Sequence, residues 1–374
     1  MGLDKETNKE RKIEEVNFAN YRQPAEWEAH EAVWLAWPYD RELWQEDLEK
    51  AQAEFVGLCQ AIVDFDTQTG KFRGEKLNVL IPTATAYQEA SGALKGLPVS
   101  FFEIPYGDIW LRDTAPIFVR KENKLAAACF QFNGWGEKYR MPGDENVAYK
   151  IAQRVAQQSG AAQVVHSFVL EGGSVEVDGE GTCLSSRQCL LNPNRNPNLS
   201  PKEVEAKVCK ALGAEKMLWV DEGLLNDHTD GHIDTIARFV APGVVLCMEA
   251  QTSDDPNHAA LAAIAQALSV QVDAQNRRLQ VGKIPSPGLV LDEDGEIMPA
   301  SYLNFYIGNS TVVVPTYGSP WDQAAVDAIG TYFPTRRTVG LSAKGILTGG
   351  GAFHCISQQQ PYGVSLGISL GVSK

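Results

Sequence analysis

Long apolar runs are missing from this chain. No stretch approaches the roughly 18 consecutive apolar residues that a membrane helix needs, and residues 1–15 (MGLDKETNKERKIEE) are charged where a signal peptide has its apolar core. Glu6 stands where the myristoylation pattern requires Ser or Thr. We therefore expect a soluble, cytoplasmic protein with no membrane partner.

Paired cysteines and an excess of basic residues are missing as well. The seven cysteines are an odd number and form no C-x-x-C pair. Cys183 and Cys189 flank a strand-like turn and are assigned no chemistry. The formal net charge of −14 argues against nucleic acid as a partner, because nucleic-acid binding normally shows a basic surface. The same charge is compatible with a cationic substrate. Four cysteines lie in apolar stretches, where a free thiol is usually a small buried hydrophobe: Cys59, Cys129, Cys209 and Cys247.

The pattern of elements predicts an α/β protein. Residues 47–65 carry apolar side chains at helical spacing, and in 199–213 Ser200 precedes a proline with Glu203 three residues on, which is typical of a helix start. Apolar runs such as KLNVLIP (76–82) predict buried strands, and we expect strands also at IWLRD (109–113), IDTIARFV (233–240) and ILTG (346–349). Residues 1–20 are polar, and no linker divides the remainder, so we expect residues 21–374 to form one domain.

Four clusters combine glycine with side chains that have chemical potential, and each lies at the end of a predicted strand, where active sites of α/β proteins usually assemble. They are GDIWLRD (107–113), LEGGSVEV (170–177), NDHTDGHIDT (226–235) and LTGGGAFHCISQQQP (347–361).

The last cluster places Cys355 after three glycines. A thiol at a loop tip is the most nucleophilic ordinary side chain, although a flexible turn before a buried cysteine fits equally well. A phosphate loop does not fit, since no G-K-[ST] follows.

The other clusters offer acids and bases. On a strand, His232 and Asp234 would face the same side and could shuttle protons or bind a cation. His228 and His232 have the i, i+4 spacing of zinc ligands, but Gly231 breaks a helix and no third ligand is evident, so we expect no metal. Taken singly, Glu171 is an ordinary turn carboxylate. Asp108, Trp110, Arg112 and Asp113 taken alone suggest an ion pair beside a packed tryptophan.

Together, the W-x-R-D, L-E-G-G-S, T-D-G-H-I-D and G-G-G-x-x-H-C-I blocks resemble the agmatine deiminase family, including its bacterial peptidyl-arginine-deiminase-like members. The resemblance runs from about residue 22 to about residue 370, and FNGWGEKY (132–139) and LLNPNRNP (190–197) also look like family segments. It implies the pentein fold, a five-bladed α/β propeller with pseudo-fivefold symmetry.

The resemblance also implies a reaction. Cys355 would be the nucleophile and His232 the general acid and base, Asp113 and Asp234 would hold the guanidinium, and Glu171 would orient His232. Agmatine and water would give N-carbamoylputrescine and ammonia through an amidino-cysteine, a step towards putrescine, with no cofactor.

Asp108 and Trp110 are expected to contact the same small cationic substrate. One segment departs from the family. Where the family has W-P-E-R-P-D-N-W-R, this chain has WPYDRELWQ at 37–45, and we expect this segment near the end of the substrate that lies away from the reacting carbon. Deimination of free or peptide-bound arginine, amidino transfer and non-catalytic polyamine binding therefore stay open as alternatives. A homodimer also remains open.

Overall fold

The computed structural model describes residues 20–363, so the predicted polar segment at 1–20 lies outside the described residues apart from its last position. The main elements of this part of the chain are six helices of nine residues or more and five sheets of three or four strands. The class is α/β, as predicted. Within residues 20–363, no helix is both long enough and apolar enough to span a membrane.

The five sheets share one plan. In each, an antiparallel pair of strands is followed by a helix and then by a strand parallel to the second. One sheet contains an additional helix and parallel strand, and there the last strand of the described chain pairs with the first, Trp34 lying opposite Gln358. The chain therefore closes on itself through this sheet.

The strands of the five sheets are His30–Ala36, Lys76–Ile81, Val99–Glu103 and Gln358–Pro361; Ile117–Lys121, Lys124–Gln131 and Ala162–Val169; Glu176–Val177, Thr182–Ser186 and Lys216–Val220; Ala237–Ala241, Val244–Glu249 and Gln280–Pro285; and Tyr306–Ile307, Thr311–Thr316 and Arg337–Ser342. Phe65–Asp66 and Lys71–Phe72 form a separate two-stranded ribbon.

The longer helices are Leu48–Val63, Ala84–Ala93, Asp144–Ser159, Pro201–Leu212, His258–Ser269 and Asp322–Gly330. Single turns of helix lie at Arg41–Trp44, Leu111–Thr114, Gly134–Glu137, Arg187–Leu190 and Lys344–Leu347, and 3₁₀ turns at Gln45–Asp47, Gly172–Ser174 and Ile233–Thr235. The predicted helix at 47–65 is confirmed, and its apolar positions are buried: Leu48, Ala51, Phe55, Leu58 and Ile62.

Two predicted strands are wrong, and a third is confirmed only in its second half. IWLRD and ILTG overlap the helical turns Leu111–Thr114 and Lys344–Leu347, whereas IDTIARFV begins with the 3₁₀ turn Ile233–Thr235 and continues as the strand Ala237–Ala241. Short apolar runs do not distinguish a buried strand from a buried helical turn. The three turns lie in connecting segments between sheets, where the backbone joins no ladder.

Candidate active site

Five connecting segments, one from each sheet, supply the candidate site. Each follows the last parallel strand of its sheet and leads into the next sheet in the chain. In chain order they carry Asp113, Glu171, His232 with Asp234, Asn304, and Cys355. All of these side chains are buried. The repeated plan of the fold thus brings together residues that are far apart in sequence.

Cys355 lies in a tight loop beneath the three glycines. A β-carbon on Gly351 would lie 2.7 Å from the Trp110 ring and 2.9 Å from Cβ of Cys355, and one on Gly349 would lie 2.6 Å from the same ring. Glycine is required here because the backbone packs directly on Trp110 and on the thiol. Burial, together with the charges of Asp234 and Asp113, raises the pKa of the Cys355 thiol well above its ordinary value.

Asn304 holds this loop and was not predicted from the sequence. Its Oδ1 accepts hydrogen bonds from the backbone N–H groups of His354 and Cys355, each at 3.1 Å. Its Nδ2 donates to Cys355 Sγ at 3.0 Å and to Asp234 Oδ2 at 3.2 Å. One amide therefore fixes the positions of the thiol and of a neighbouring carboxylate.

Asp234 lies at one end of a buried row of alternating charges. Its Oδ2 is 2.7 Å from His354 Nδ1, and His354 Nε2 is 2.8 Å from Glu26 Oε2, which also accepts from Arg238 at 2.7 Å. Both imidazole nitrogens of His354 therefore lie at hydrogen-bond distance from a carboxylate oxygen. Burial acts to raise the pKa of Asp234, but the hydrogen bond and charge of His354 outweigh it and hold that pKa below its usual range. Oδ1 of Asp234 is buried without a hydrogen-bond partner in the described chain.

Asp113 is positioned by a strained turn. Trp135 Nε1 donates to Asp113 Oδ2 at 2.8 Å, and Gly173 N donates to Oδ1 at 2.9 Å. Trp135 lies in the turn Gly134–Glu137, in which four successive residues have φ between 52° and 79°. Left-handed backbone costs about 1–2 kcal/mol at each non-glycine residue, and such strain clusters at functional sites.

Glu171 and His232 form the other side of the site. Glu171 Oε1 accepts from Arg195 Nε at 2.8 Å, while its Oε2 lies 3.7 Å from His232 Nε2. His232 Nδ1 lies 3.7 Å from Asp113 Oδ1. Burial acts to lower the pKa of His232, but the charge of Asp113 and the nearby Glu171 raise it well above its ordinary value.

A cavity of about 330 Å³ leads from Cys355 and Asp113 to the surface. The indole N–H groups of Trp44 and Trp110 both donate to the Asp108 carboxylate, at 3.0 and 2.6 Å, and their rings are stacked with centroids 6.2 Å apart. Burial raises the pKa of Asp108 to about 6. The cavity is also lined by Leu43 and Gln45, which end the divergent segment WPYDRELWQ, and by the next two residues, Glu46 and Asp47.

Arg112 and His228, which the sequence analysis also considered, do not lie among the buried side chains of the site. Arg112 points away from the cavity, where its Nη1 donates to Gln359 at 2.7 Å and its Nη2 lies 4.0 Å from Glu26. His228 is exposed at the cavity rim, with its ring near Tyr139. Among residues 20–363, the set of metal-ligating groups that converges around His232 is Glu171 and Cys189, without His228.

Comparisons with known proteins show the family to which the chain belongs. The family model described as Porphyromonas-type peptidyl-arginine deiminase matches residues 22–361. The chain belongs to this family. The agmatine deiminase of Stutzerimonas stutzeri (strain A1501) is 36% identical over 364 residues, covering 91% of this chain and 95% of that protein.

Solved structures of the Porphyromonas-type family and its relatives share the fold. The agmatine deiminase of Enterococcus faecalis, described as catalyzing its reaction, superposes with a TM-score of 0.84 at 32% identity and covers 92% of this chain and 97% of its own. A cysteine-to-serine variant of the C. jejuni agmatine deiminase with substrate bound gives a TM-score of 0.80 at 25% identity, with coverage of 92% and 97%. The family resemblance expected from the four blocks is confirmed, and the fold is the mixed α/β pentein fold.

Proposed function

We propose that this protein is a hydrolytic deiminase that converts agmatine and water into N-carbamoylputrescine and ammonia through a covalent amidino-cysteine. The lining of the cavity carries this proposal. A buried thiol and the Asp113 carboxylate lie at its inner end, and three further carboxylates line it: Glu46, Asp47 and Asp108. None of the described residues that line it is Lys or Arg.

This charge pattern distinguishes agmatine from free arginine. Agmatine carries a guanidinium at one end and an ammonium at the other, so both ends favour an acidic cavity. The α-carboxylate of arginine would meet acidic side chains and no Lys or Arg of the described lining, because the guanidinium of Arg112 is engaged by Gln359 outside the cavity. Like-charge contact of this kind disfavours a ligand strongly.

Asp113 and Asp234 are proposed to hold the substrate guanidinium. Each is fixed through one or both oxygens by protein donors, and Asp234 Oδ1 is left without a partner in the described chain. Two carboxylates can grip the planar N–H groups of a guanidinium and fix its plane. The central carbon would then face Cys355.

Cys355 is proposed to attack that carbon as the thiolate. Without substrate its pKa is raised, so the thiol keeps its proton at neutral pH. The bound guanidinium neutralises the carboxylates that cause part of this shift and so favours the thiolate, and the thiol proton passes to solvent. A carbon–sulfur bond forms, and the protonated His232 gives its proton to the departing nitrogen, which leaves as ammonia.

The second half of the reaction reverses the role of the histidine. Neutral His232 takes a proton from a water molecule, which attacks the amidino carbon and expels the Cys355 thiolate. The adduct loses the remaining proton of the former water molecule and becomes the ureido group of N-carbamoylputrescine. That proton returns Cys355 to the thiol, and the imidazole is left protonated as at the start. Glu171, held by Arg195, is proposed to orient His232 through both steps.

The fold and location belong to the same proposal. The end of the predicted domain 21–374, residues 364–374, lies outside the described residues. We infer that residues 21–363 form one five-bladed propeller, because five sheets repeat one strand–strand–helix–strand plan and each is followed by one segment of the site. A cytoplasmic location is supported by the seven cysteines, all of which are free, as expected in a reducing compartment.

The test is to incubate the purified protein with agmatine, free arginine and an internal-arginine peptide, and to measure ammonia and ureido product. We expect turnover of agmatine and a loss of about 10⁴-fold or more in Cys355→Ala, because the nucleophile is removed. Cys183→Ala, which removes a buried thiol outside the cavity, is the matched control and should retain activity. Preferred turnover of arginine or the peptide would refute agmatine as substrate, and an active Cys355→Ala would refute the mechanism.

A further inference from the structure

We propose that Glu171, Cys189 and His232 form a buried site for a thiophilic divalent metal ion, such as Zn²⁺, which inhibits the enzyme. One ligand atom from each of these residues lies within 4.8 Å of the others. Carboxylate, thiolate and imidazole are the donors that zinc takes, at about 2.0–2.3 Å. Small inward movements of the side chains would complete three ligands, and water would take the fourth position.

The unpaired state of His232 is the second observation. Its ring is fully buried, yet neither Nδ1 nor Nε2 has a hydrogen-bond partner among the described residues. Glu171 Oε2, at 3.7 Å from Nε2, is too distant for a hydrogen bond, and Oε1 is already bound to Arg195. A buried polar atom without a partner is unfavourable, and a coordinated ion would satisfy it.

The backbone segments that carry Cys189 and His232 are also fastened to each other. Cys189 lies on the short helix Arg187–Leu190, whose N-cap Ser186 accepts from Cys189 N at 3.2 Å. The hydroxyl of Ser186 donates to the carbonyl of Gly231, the residue before His232. The helix that carries the thiol is thus fastened to the loop that carries the imidazole, as a metal site requires.

The surrounding charge favours a cation. Asp113 and Asp234 add two carboxylates near His232, whereas Arg195, with Nη2 at 3.9 Å from Cys189 Sγ, is the opposing cation that borders the thiol. On binding, the thiol proton of Cys189 and the proton of His232 are released to water, so the dication replaces two protons. The sequence analysis assigned no chemistry to Cys189, so this role is new.

Inhibition would follow from the loss of the acid and base. A metal ion on the imidazole of His232 prevents it from carrying the proton between leaving group and water. This consequence rests on the proposed deiminase function, whereas the binding of the metal does not.

Cobalt(II) absorption tests the binding without reference to activity. The full-length protein, freed of metal with a chelator, is titrated with Co²⁺ and then with Zn²⁺ as competitor, alongside Cys189→Ser, Cys189→Ala, Cys355→Ser and Cys183→Ser. We expect one Co²⁺ per chain with a near-ultraviolet thiolate-to-metal band in the wild type, in Cys355→Ser and in Cys183→Ser. In both Cys189 variants, checked for folding by circular dichroism, the band should vanish and the zinc affinity should fall about tenfold or more.

Inhibition is measured on the same proteins. We expect Zn²⁺ to inhibit agmatine turnover in the wild type and in Cys183→Ser, and the inhibitory concentration to rise about tenfold or more in Cys189→Ser. A band that persists without Cys189, or that disappears with Cys355→Ser, would overturn the proposal by assigning the metal elsewhere. If the wild type turns over agmatine but shows no cobalt band, the metal site is refuted and the deiminase function is not. If it shows the band but no turnover, the deiminase function is refuted and the metal site is not.

Discussion

His354 takes no direct part in the proposed reaction, but it controls the position and the ionisation of Asp234. The imidazole bridges Asp234 and Glu26 at 2.7 and 2.8 Å, which leaves the second oxygen of Asp234 free for a ligand. The charge of His354 also helps to keep Asp234 ionised, because it lowers a pKa that burial alone would raise.

We therefore predict that His354→Gln acts as the loss of a positioning residue. Without the cation the pKa of Asp234 rises, so Asp234 takes up a proton at higher pH and the acidic limb of kcat/KM moves upwards. The value of kcat/KM at neutral pH should fall about 10–100-fold. Comparison of full pH profiles checks this, with His166→Gln, a half-buried histidine on Phe130, as the control. A lower rate with an unshifted acidic limb would contradict the prediction.

Asp108 leads to a second prediction. Its carboxylate lies between Trp44 and Trp110, and its pKa is raised to about 6 by burial, so the charge is present above that pH and lost below it. We expect KM for agmatine to rise as pH falls through about 6, and Asp108→Asn to raise KM about tenfold at neutral pH, equivalent to ~1.4 kcal/mol. In the variant this rise of KM at low pH should flatten. Parallel KM profiles for wild type and variant would refute it.

Residue chemistry also explains what the sequence could not predict. Cys355, His232 and Asp234 stand in glycine-rich blocks that marked them as candidates, the family resemblance supplied their expected roles, and the structure brings them together with Asp113 and Glu171. Asn304 has no such context, because a single asparagine after a proline-rich connection is typical of any turn. Glu26 and Arg195 were missed for the same reason: buried charges are recognisable only once their partners are known.

At the scale of elements, periodicity predicted the long helices and failed at the short turns. The helix at 47–65 was recognised because its apolar spacing extends over several turns, and the helix at 199–213 because Ser200, Pro201 and Glu203 mark its start. The connecting segments contain only short apolar runs, such as residues 109–111, which suit strand and helix alike. Since each of the five sheets is followed by one segment of the site, a repeat recognised in the sequence would have pointed to the region around Asn304.

The helix Pro201–Leu212 offers a test at this scale. Ser200 and Glu203 form a complete capping box, in which Ser200 Oγ accepts from Glu203 N and the Glu203 carboxylate accepts from Ser200 N at 2.8 Å. We predict that Ser200→Ala lowers the free energy of unfolding by about 1 kcal/mol. Chemical denaturation measures this, and kcat/KM should stay unchanged because the cap is remote from the cavity lining. A loss of activity at unchanged stability would contradict it.

At the scale of the whole molecule, net charge and cavity act in the same direction. The chain has a formal net charge of −14, and the described cavity lining contains four carboxylates and neither Lys nor Arg. A cleft lined by one sign of charge raises the local concentration of oppositely charged ligands and speeds their association. Salt screens this attraction, since the Debye length falls from about 30 Å at 0.01 M to about 8 Å at 0.15 M.

The dependence on ionic strength should therefore follow the charge of the substrate. We expect kcat/KM for agmatine, a dication, to fall several-fold between these two salt concentrations. A decrease of this size is near the lower end of the rate enhancements, about 10-fold and more, that electrostatic steering gives. An alkylguanidine of equal length without the terminal amine carries one charge and should show the smaller decrease, because one of its two attractive ends is missing. Sucrose at matched osmolality, which leaves charges unscreened, should not reproduce the decrease. Equal salt dependence for both substrates would mean that the acidic cavity does not discriminate the distal ammonium, and the choice of agmatine would then depend on the shape of the cavity.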